Sequence, residues 1–341
     1  MDRRPTQNDV AAKAGVHPST VSLALKNHRS IPEATRQKIR RAAMEIGYFP
    51  DPMLGALASY RARLKPCGFQ GALAWLTNNL GKFRWNANAS FQKYFEGARR
   101  RAEACGFRLR EFDLQTPGMT PERMRSVLHS QNIQGILLCP QPLPQMEFSF
   151  SWDEFAAVTF GHTLLSPKLH RVACAHYDSM LEAMQRLGEL GYRRVGFFLR
   201  KSHVKRVNYS YLAGYLTGVS VGGRFATIPP FYRDEGSPEE FEKWLRKHRC
   251  DALVCADHDI VDLLARLGFR VPQDIGVCNF LIHSPDGPMS GIYEEPLHMG
   301  DVAASLVVRL VQQGERGIPQ VPQNIYIQGI WVRGNTVRER A

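Results

Sequence analysis

The sequence predicts an all-α helix-turn-helix headpiece at the N-terminus followed by a larger α/β core of two similar lobes. Three observations predict it. Helical spacing broken by a tight turn fills the stretch from Thr6 to Tyr48, and positive charge concentrates over the same region. The remaining residues alternate short apolar runs with amphipathic segments, the pattern of parallel sheets covered by helices on both faces.

Within the headpiece, Thr6 is a good N-cap, and the helix after it places Val10, Ala11 and Ala14 on one face. Gly15-Val16 supplies the turn, because glycine adopts a left-handed backbone cheaply. Pro18 suits a first helical position, so a second helix starts near His17. Val21, Ala24 and Leu25 face inward, leaving Ser19, Thr20, Ser22 and Leu23 on the outside or its edge, where base edges and phosphates would be met. Ser30-Ile-Pro-Glu has capping-box spacing, and Thr35, Ile39, Ala42, Ala43 and Ile46 form the buried stripe of a third helix. Met1 to Lys65 carries 12 Lys and Arg against 5 Asp and Glu, so it holds +7 of the formal +12. Such a local excess on a small module is an electrostatic footprint for phosphate.

About 276 residues follow Lys65, too many for one minimal core and right for two lobes. Hydrophobic residues make up 44% and aromatics 10%, enough for a substantial core. No run approaches 18 apolar residues, and the N-terminus is polar and immediately helical, so neither a membrane span nor a secretory signal is expected and the cytoplasm is the expected location. The seven cysteines form no C-x-x-C pair, which fits reduced thiols better than disulfides and gives no metal site. The tail, Arg338-Glu-Arg-Ala, lacks leucine heptads, so no coiled coil is expected there.

Along the core, Gly71 to Thr77 reads as a strand, Phe91 to Cys105 as a helix and Arg108 to Asp113 as a strand. Pro121 to Ser130 is helical; Gly135 to Cys139 and Phe155 to Phe160 are buried strands. Helices are expected over Asp178–Leu190, Tyr209–Gly218, Pro238–His248 and Ile260–Leu267. The strands between and after them are Arg194–Leu199, Ala252–Ala256 and Ile275–Phe280.

Residues 6 to about 60 resemble the DNA-binding headpiece of the LacI/GalR family of bacterial transcription regulators. The likeness rests on Asp9-Val-Ala, Ala14-Gly-Val, Ser19-Thr-Val-Ser, Thr35-Arg and Ile46-Gly-Tyr-Phe-Pro, in order and at the family's spacing. It implies a homodimer that reads a near-palindromic double-stranded operator, with Thr6, His17, Pro18, Ser19, Thr20, Ser22, Leu23, Lys26, Asn27, Ser30, Thr35 and Tyr48 at the DNA. A hinge helix is implied at Asp51-Pro-Met-Leu-Gly-Ala-Leu-Ala-Ser, with Leu54 and Leu57 entering the minor groove and Leu57 wedging between base pairs. Leu23 stands where many members have arginine, so guanine readout there gives way to contact with a thymine methyl. Gly55 lowers hinge-helix propensity by about 1 kcal/mol relative to alanine, favouring a hinge that folds on DNA.

The rest of the chain is similar, more weakly, to the family's effector-binding core, which has the periplasmic-binding-protein-like fold. Leu190-Gly-Tyr-Arg-Arg-Val-Gly-Phe, Val271-Pro-Gln-Asp-Ile-Gly-Val and Met299-Gly before a long helix carry this likeness. It implies two Rossmann-like lobes joined by three crossings, placed near Gly161-His162, Ile282-His283 and Val321-Pro322. The resulting division is a headpiece at 1–50, a hinge and linker at 51–66, a core at 67–330 and a tail at 334–341. Lobe 1 covers about 67–161 and 284–320, and lobe 2 about 162–282 and 321–333. A small-molecule effector would sit between the lobes.

Two charged clamp residues common in the family are replaced here, by Tyr211 and Leu281. Phe83, Trp85, Tyr209 and Tyr211 are therefore the candidate stacking faces for a sugar ring or aromatic effector, with Asn78, Asp257 and Glu294 as polar anchors. The same aromatics could instead fill the cleft, which would make the regulator ligand-independent; a free solute-binding protein is a further alternative. Gly218-Val-Ser-Val-Gly222 matches a nucleophile-elbow pattern, but its serine follows a helix rather than a strand, so no catalytic residues are expected. No G-x-G-x-x-G opens a helix after a strand, and no cofactor is expected. Asp257-His-Asp259 and His170 to His176 read as solvated loop rather than metal ligands.

Overall fold

The computed structural model describes residues 5–25, 31–48, 71–221 and 223–340. Lys26, Asn27, Ser30, Leu54 and Leu57, with the whole expected hinge at 51–66, lie outside the described residues.

Three helices form the described headpiece: α1 (Gln7–Ala14), α2 (Pro18–Leu25) and α3 (Glu33–Glu45). Asp9 starts the first by accepting hydrogen bonds from the Thr6 N–H and hydroxyl, both at 2.7 Å. Gly15 ends it at φ 65° with the Val16 N–H donating to the Ala11 carbonyl, the Schellman arrangement that a residue with a Cβ enters at a penalty. Val10, Ala11, Ala14, Val21, Ala24, Ile31, Ile39, Ala42 and Ala43 close the small core. Val16, Leu23, Leu25, Ile46 and Tyr48 pack partly against it.

Lobe 1 is built on a six-stranded parallel sheet. Its strands are β1 (Gly71–Thr77), β2 (Phe107–Asp113), β3 (Ile133–Leu138), β5 (Ala156–Phe160), β7 (His170–Cys174) and β13 (Asn324–Ile327), in the order β13-β7-β5-β3-β1-β2. A small side pair joins β4 (Met146–Glu147) to β6 (Leu164–Ser166). Helices α4 (Ala89–Ala104) and α11 (Pro296–Gln313) cover one face, and α5 (Pro121–Ser130) covers the other. Burial on both faces is why strands such as Gly-Ala-Leu-Ala-Trp-Leu-Thr read as continuous apolar runs.

Lobe 2 has a second six-stranded sheet in the order β14-β12-β11-β10-β8-β9. Its strands are β8 (Val195–Leu199), β9 (Phe231–Tyr232), β10 (Ala252–Cys255), β11 (Gly276–Asn279), β12 (Gly291–Tyr293) and β14 (Ile330–Val332), all parallel except β14. Its helices are α6 (His176–Glu189), α7 (Lys201–Arg206), α8 (Ser210–Ser220), α9 (Pro238–His248) and α10 (Ile260–Arg266). A capping box of Ser237 and Glu240 with Pro238 at the first turn explains the abrupt start of α9.

The crossings between lobes differ from the sequence expectation. The chain stays in lobe 1 past Gly161 because β7 pairs with β5, so the first crossing follows Cys174 rather than His162. It stays in lobe 2 past His283 because β12 pairs with β11 and β14, moving the second crossing to Glu294 and Glu295. Residues 324–327 pair with β7, which puts the third after Ile327 rather than at Val321. Residues 170–174 are thus a strand, not a solvated loop, and His170 is buried with its Nδ1 accepting from the Gln323 N–H at 3.0 Å. Among the described residues no helix is long and apolar enough to cross a membrane.

Candidate functional site: the headpiece face and the interlobe cavity

On the headpiece, Thr6, His17 and Ser19 are exposed, while Pro18, Thr20, Ser22 and Thr35 are half-buried. His17 ties down the start of α2: its Nδ1 lies 2.8 Å from the Ser19 hydroxyl and accepts from the Ser19 N–H at 3.3 Å. Leu23 and Tyr48 divide their surface between solvent and the small core. Ser19, Thr20 and Ser22 therefore lie on the side of α2 away from buried Val21 and Ala24, with half-buried Leu23 among them, one turn after Ser19.

Between the lobes lies a cavity of about 110 Å³. It forms at the carboxyl ends of the strands, where a parallel sheet leaves loops free to hold side chains. Gly161, His162 and Thr163 follow β5, Cys174 ends β7, Leu281 follows β11 and Glu294 follows β12. Asn88, Ser90, Phe91 and Tyr94 enter from the start of α4, His176 from α6, and His203 and Arg206 from α7. Arg206 links the lobes, donating to the carbonyls of Pro142 at 2.8 Å and Gln141 at 3.1 Å. Lys93 links them again through the His283 carbonyl at 2.6 Å.

Burial sets the protonation of this wall. Glu294 is pushed up to about 7 by desolvation, against the opposing effect of the hydrogen bond it accepts from the Tyr211 hydroxyl. Burial drives His176 well below the ordinary histidine value. His162 falls to about 4 through burial and then Arg171, and His203 to about 4 through burial and then Arg206 and Arg200. The Cys174 thiol is pushed well up by burial and then by Glu294. At neutral pH the wall therefore holds neutral imidazoles and a thiol around one guanidinium and one carboxyl near its midpoint.

Cys174, His176 and Glu294 offer donor atoms within 4.8 Å of one another, the nearest approach to a metal-ligand set among the described residues. Glu294 already accepts from Tyr211, His176 Nε2 lies 3.5 Å from the same carboxyl oxygen, and Cys174 Sγ lies 3.7 Å from the Ser179 hydroxyl. Protons hold these groups together, so the set reads as a hydrogen-bonded network and no metal is assigned to it. His176 Nδ1, buried beside the cavity, has no partner among the described residues.

Of the residues expected from sequence to hold an effector, Leu281 and Glu294 line the cavity. Tyr211 lies fully buried behind the wall and acts on it through Glu294. The other five stand elsewhere. Trp85 is 5% exposed and packs with Trp75 and Phe95 while its indole N–H donates to Glu111 at 2.6 Å, and Phe83 packs on the same lobe 1 cluster. Asn78 bonds Gln141 at 3.1 Å and Gln115 at 2.8 Å. Asp257 pairs with Arg233 at 2.6 Å, and Tyr209 is exposed in a left-handed turn before α8. Phe83, Trp85 and Asn78 are thus satisfied by packing or partners within lobe 1, Asp257 has Oδ1 paired within lobe 2 while its buried Oδ2 has no hydrogen-bond partner among the described residues, and Tyr209 faces solvent. Sequence reasoning missed His162, His176, His203 and Arg206; the signal available was their position just after strand ends, obscured because β7 and α7 were not recognised. Asp259 likewise pairs with Arg233 at 2.6 Å, and Ser220 closes α8 on an exposed surface.

Residues 6–51 match the model for bacterial regulatory proteins of the lacI family, and residues 184–336 match a periplasmic binding protein-like domain. The chain therefore carries a DNA-binding domain of the lacI family ahead of a periplasmic-binding-protein-like domain. It is similar to the HTH-type transcriptional regulator CelR of Thermobifida fusca, 28% identical over 329 residues that cover 90% of this chain and 92% of that protein. Among solved structures, a CelR–cellobiose complex has TM-score 0.56 at 22% identity, covering 98% of this chain and 100% of that one. A lac repressor dimer bound to operator and the anti-inducer ONPF has TM-score 0.57 at 18% identity, with the same coverage. The relatives that share both domains are transcriptional regulators: CelR, and the transcriptional repressor CytR of Escherichia coli, 24% identical over 328 residues covering 90% of each chain.

Proposed function

We propose that a homodimer of this chain represses transcription in the cytoplasm by reading a near-palindromic operator, and that a small molecule held between the lobes shifts its affinity for that operator. The observation that carries the reading is the interlobe cavity. Both lobes line it, and Arg206 and Lys93 bridge the lobes beside it, so filling it changes the balance between open and closed arrangements. An open cavity favours this over the ligand-independent alternative, in which aromatics would occupy the cleft; Phe83 and Trp85 pack into lobe 1 instead. The relative solved with cellobiose supports a sugar-like effector class.

The exposed face of α2, with Ser19, Thr20 and Ser22, is the proposed reader of base edges and phosphates, and Leu54 and Leu57 the proposed minor-groove residues. Selection of binding sites from fragmented bacterial DNA, followed by titration at several salt concentrations, tests this. A near-palindromic site bound with a steep salt slope and weakened by Leu57→Ala, by a factor on the order of ten or more, is the expected result. Recovery of unrelated sequences with equal affinity would overturn it.

A further inference from the structure

Arg206 is the one fixed cation on the cavity wall among the described residues. Its guanidinium spends two of five N–H groups on the carbonyls of Gln141 and Pro142, and among the described residues no carboxylate lies within 4.0 Å of it. The contrast with other arginines of lobe 2 is direct: Arg233 pairs with both Asp257 and Asp259, and Arg270 with Asp274. A half-buried guanidinium whose hydrogen bonds go to neutral carbonyls lacks a paired counterion, Glu294 on the same wall being only partly ionised and more than 4.0 Å away, and its planar fork matches a carboxylate or phosphate. Burial lowers its proton affinity, as expected for a cation lacking an anion. On the same wall His176 Nδ1 is buried without a partner, ready to bond a ligand hydroxyl.

We propose that the cavity binds a compact hydroxylated anion, a carboxylate or phosphate ester, with the acid group on Arg206 and a hydroxyl on His176. This rests on the reading of the cavity as an effector site and narrows its ligand from sugar-like to sugar-like and acidic. Size supports the restriction. At about 110 Å³ the cavity is smaller than the roughly 150 Å³ that admits benzene in a protein interior, so a three- or four-carbon acid fits the lobes as they stand and a larger sugar acid extends toward the mouth. Binding at Arg206 also bears on the lobe contact that this residue makes, which couples the ligand to closure.

The test is calorimetric titration of the full-length protein with glycerate and glycerol 3-phosphate, each beside glycerol, with gluconate beside glucose as a larger pair. The expected result is binding of an acid at least tenfold tighter than its neutral counterpart, reduced at least tenfold by Arg206→Gln and less by Arg206→Lys. Circular dichroism of the variants shows that both remain folded. Response to glycerol 3-phosphate alone assigns the phosphate form, and response to glycerate or gluconate alone the carboxylate. Neutral polyols binding as tightly as their acids, or Arg206→Gln leaving acid binding unchanged, overturns the anion while leaving an effector cavity in place. Silence from every compound overturns both.

Discussion

Glu294 shows how much a single buried residue decides. It sits against Tyr211, His176, Cys174 and Tyr94, none of which is charged at neutral pH, so removing water raises its affinity for a proton from the ordinary 4.5 to about 7. The folded state then holds this proton more tightly than the unfolded state. Its contribution to stability is fully present below pH 4.5 and is lost as pH rises through 7, by roughly 3 kcal/mol. The buried histidines act in the opposite sense, since their depressed values favour the fold above about pH 6.5 and oppose it as pH falls toward 4. Subtracting Glu294→Gln from the wild type isolates the carboxyl. The stability gap between the two, measured by denaturant unfolding at pH 5 and pH 8, should move against the wild type at the higher pH. A gap independent of pH would mean that Glu294 titrates normally. Leu281 was legible as a cleft residue because it follows a strand that the apolar pattern brought out, whereas Glu294 was named only as a polar anchor, the strand before it being too short to read. His176 was not, because a lone histidine in sequence does not reveal whether it will be buried.

At the scale of elements, the long apolar periodicities were readable and the close contacts were not. Pro121–Ser130 and Pro238–His248 match expectation because both begin with proline after a hydroxyl cap. The short strands β12, β13 and β14 escaped because three or four residues, half of them facing solvent in β13, carry no reliable period. The helix pair α4 and α11 depends on a further feature that periodicity does not register. A Cβ on Gly97 would lie 1.9 Å from the Leu297 carbonyl oxygen, and one on Gly300 would lie 2.0 Å from that of Tyr94. Backbone meets backbone at both places, so no side chain can yield. The Arg101 guanidinium bonding Asp301 at 2.7 and 2.8 Å holds the pair at that distance. Gly97→Ala should therefore destabilise the core by about 3 kcal/mol or more, seen as a lower unfolding midpoint or loss of soluble protein. Gly71→Ala is the control: its Cβ would meet Phe107 at an ordinary 3.5 Å, and a loss under about 1 kcal/mol is expected.

For the whole molecule, two lobes and a headpiece were legible from length, charge and alternation, whereas the crossings were displaced by about 6 to 13 residues because lobe 1 keeps β7 and β13 and lobe 2 keeps β12, strands that the pattern did not disclose. That displacement matters for mechanism, since it puts Cys174, His176 and Glu294 at the crossings themselves, where a change in lobe angle is felt. Lys93 offers a way to perturb that angle without altering a cavity-lining residue. Its ammonium donates to the His283 carbonyl across the lobes and lies 5.4 Å from the centre of the Tyr293 ring. A hydrogen bond from a charged donor contributes about 1.5–3 kcal/mol, so removing it should lower the closed population by roughly tenfold or more. Lys93→Ala should weaken any effector that requires closure by a similar factor and raise the radius of gyration measured by small-angle scattering. Because coupling is reciprocal, the factor by which effector changes operator affinity should be smaller than in the wild type at the same effector concentration. If the variant kept both the radius and the effector affinity of the wild type, the Lys93 contact would have no part in closure and the coupling would have to run through Arg206 and the three crossings alone.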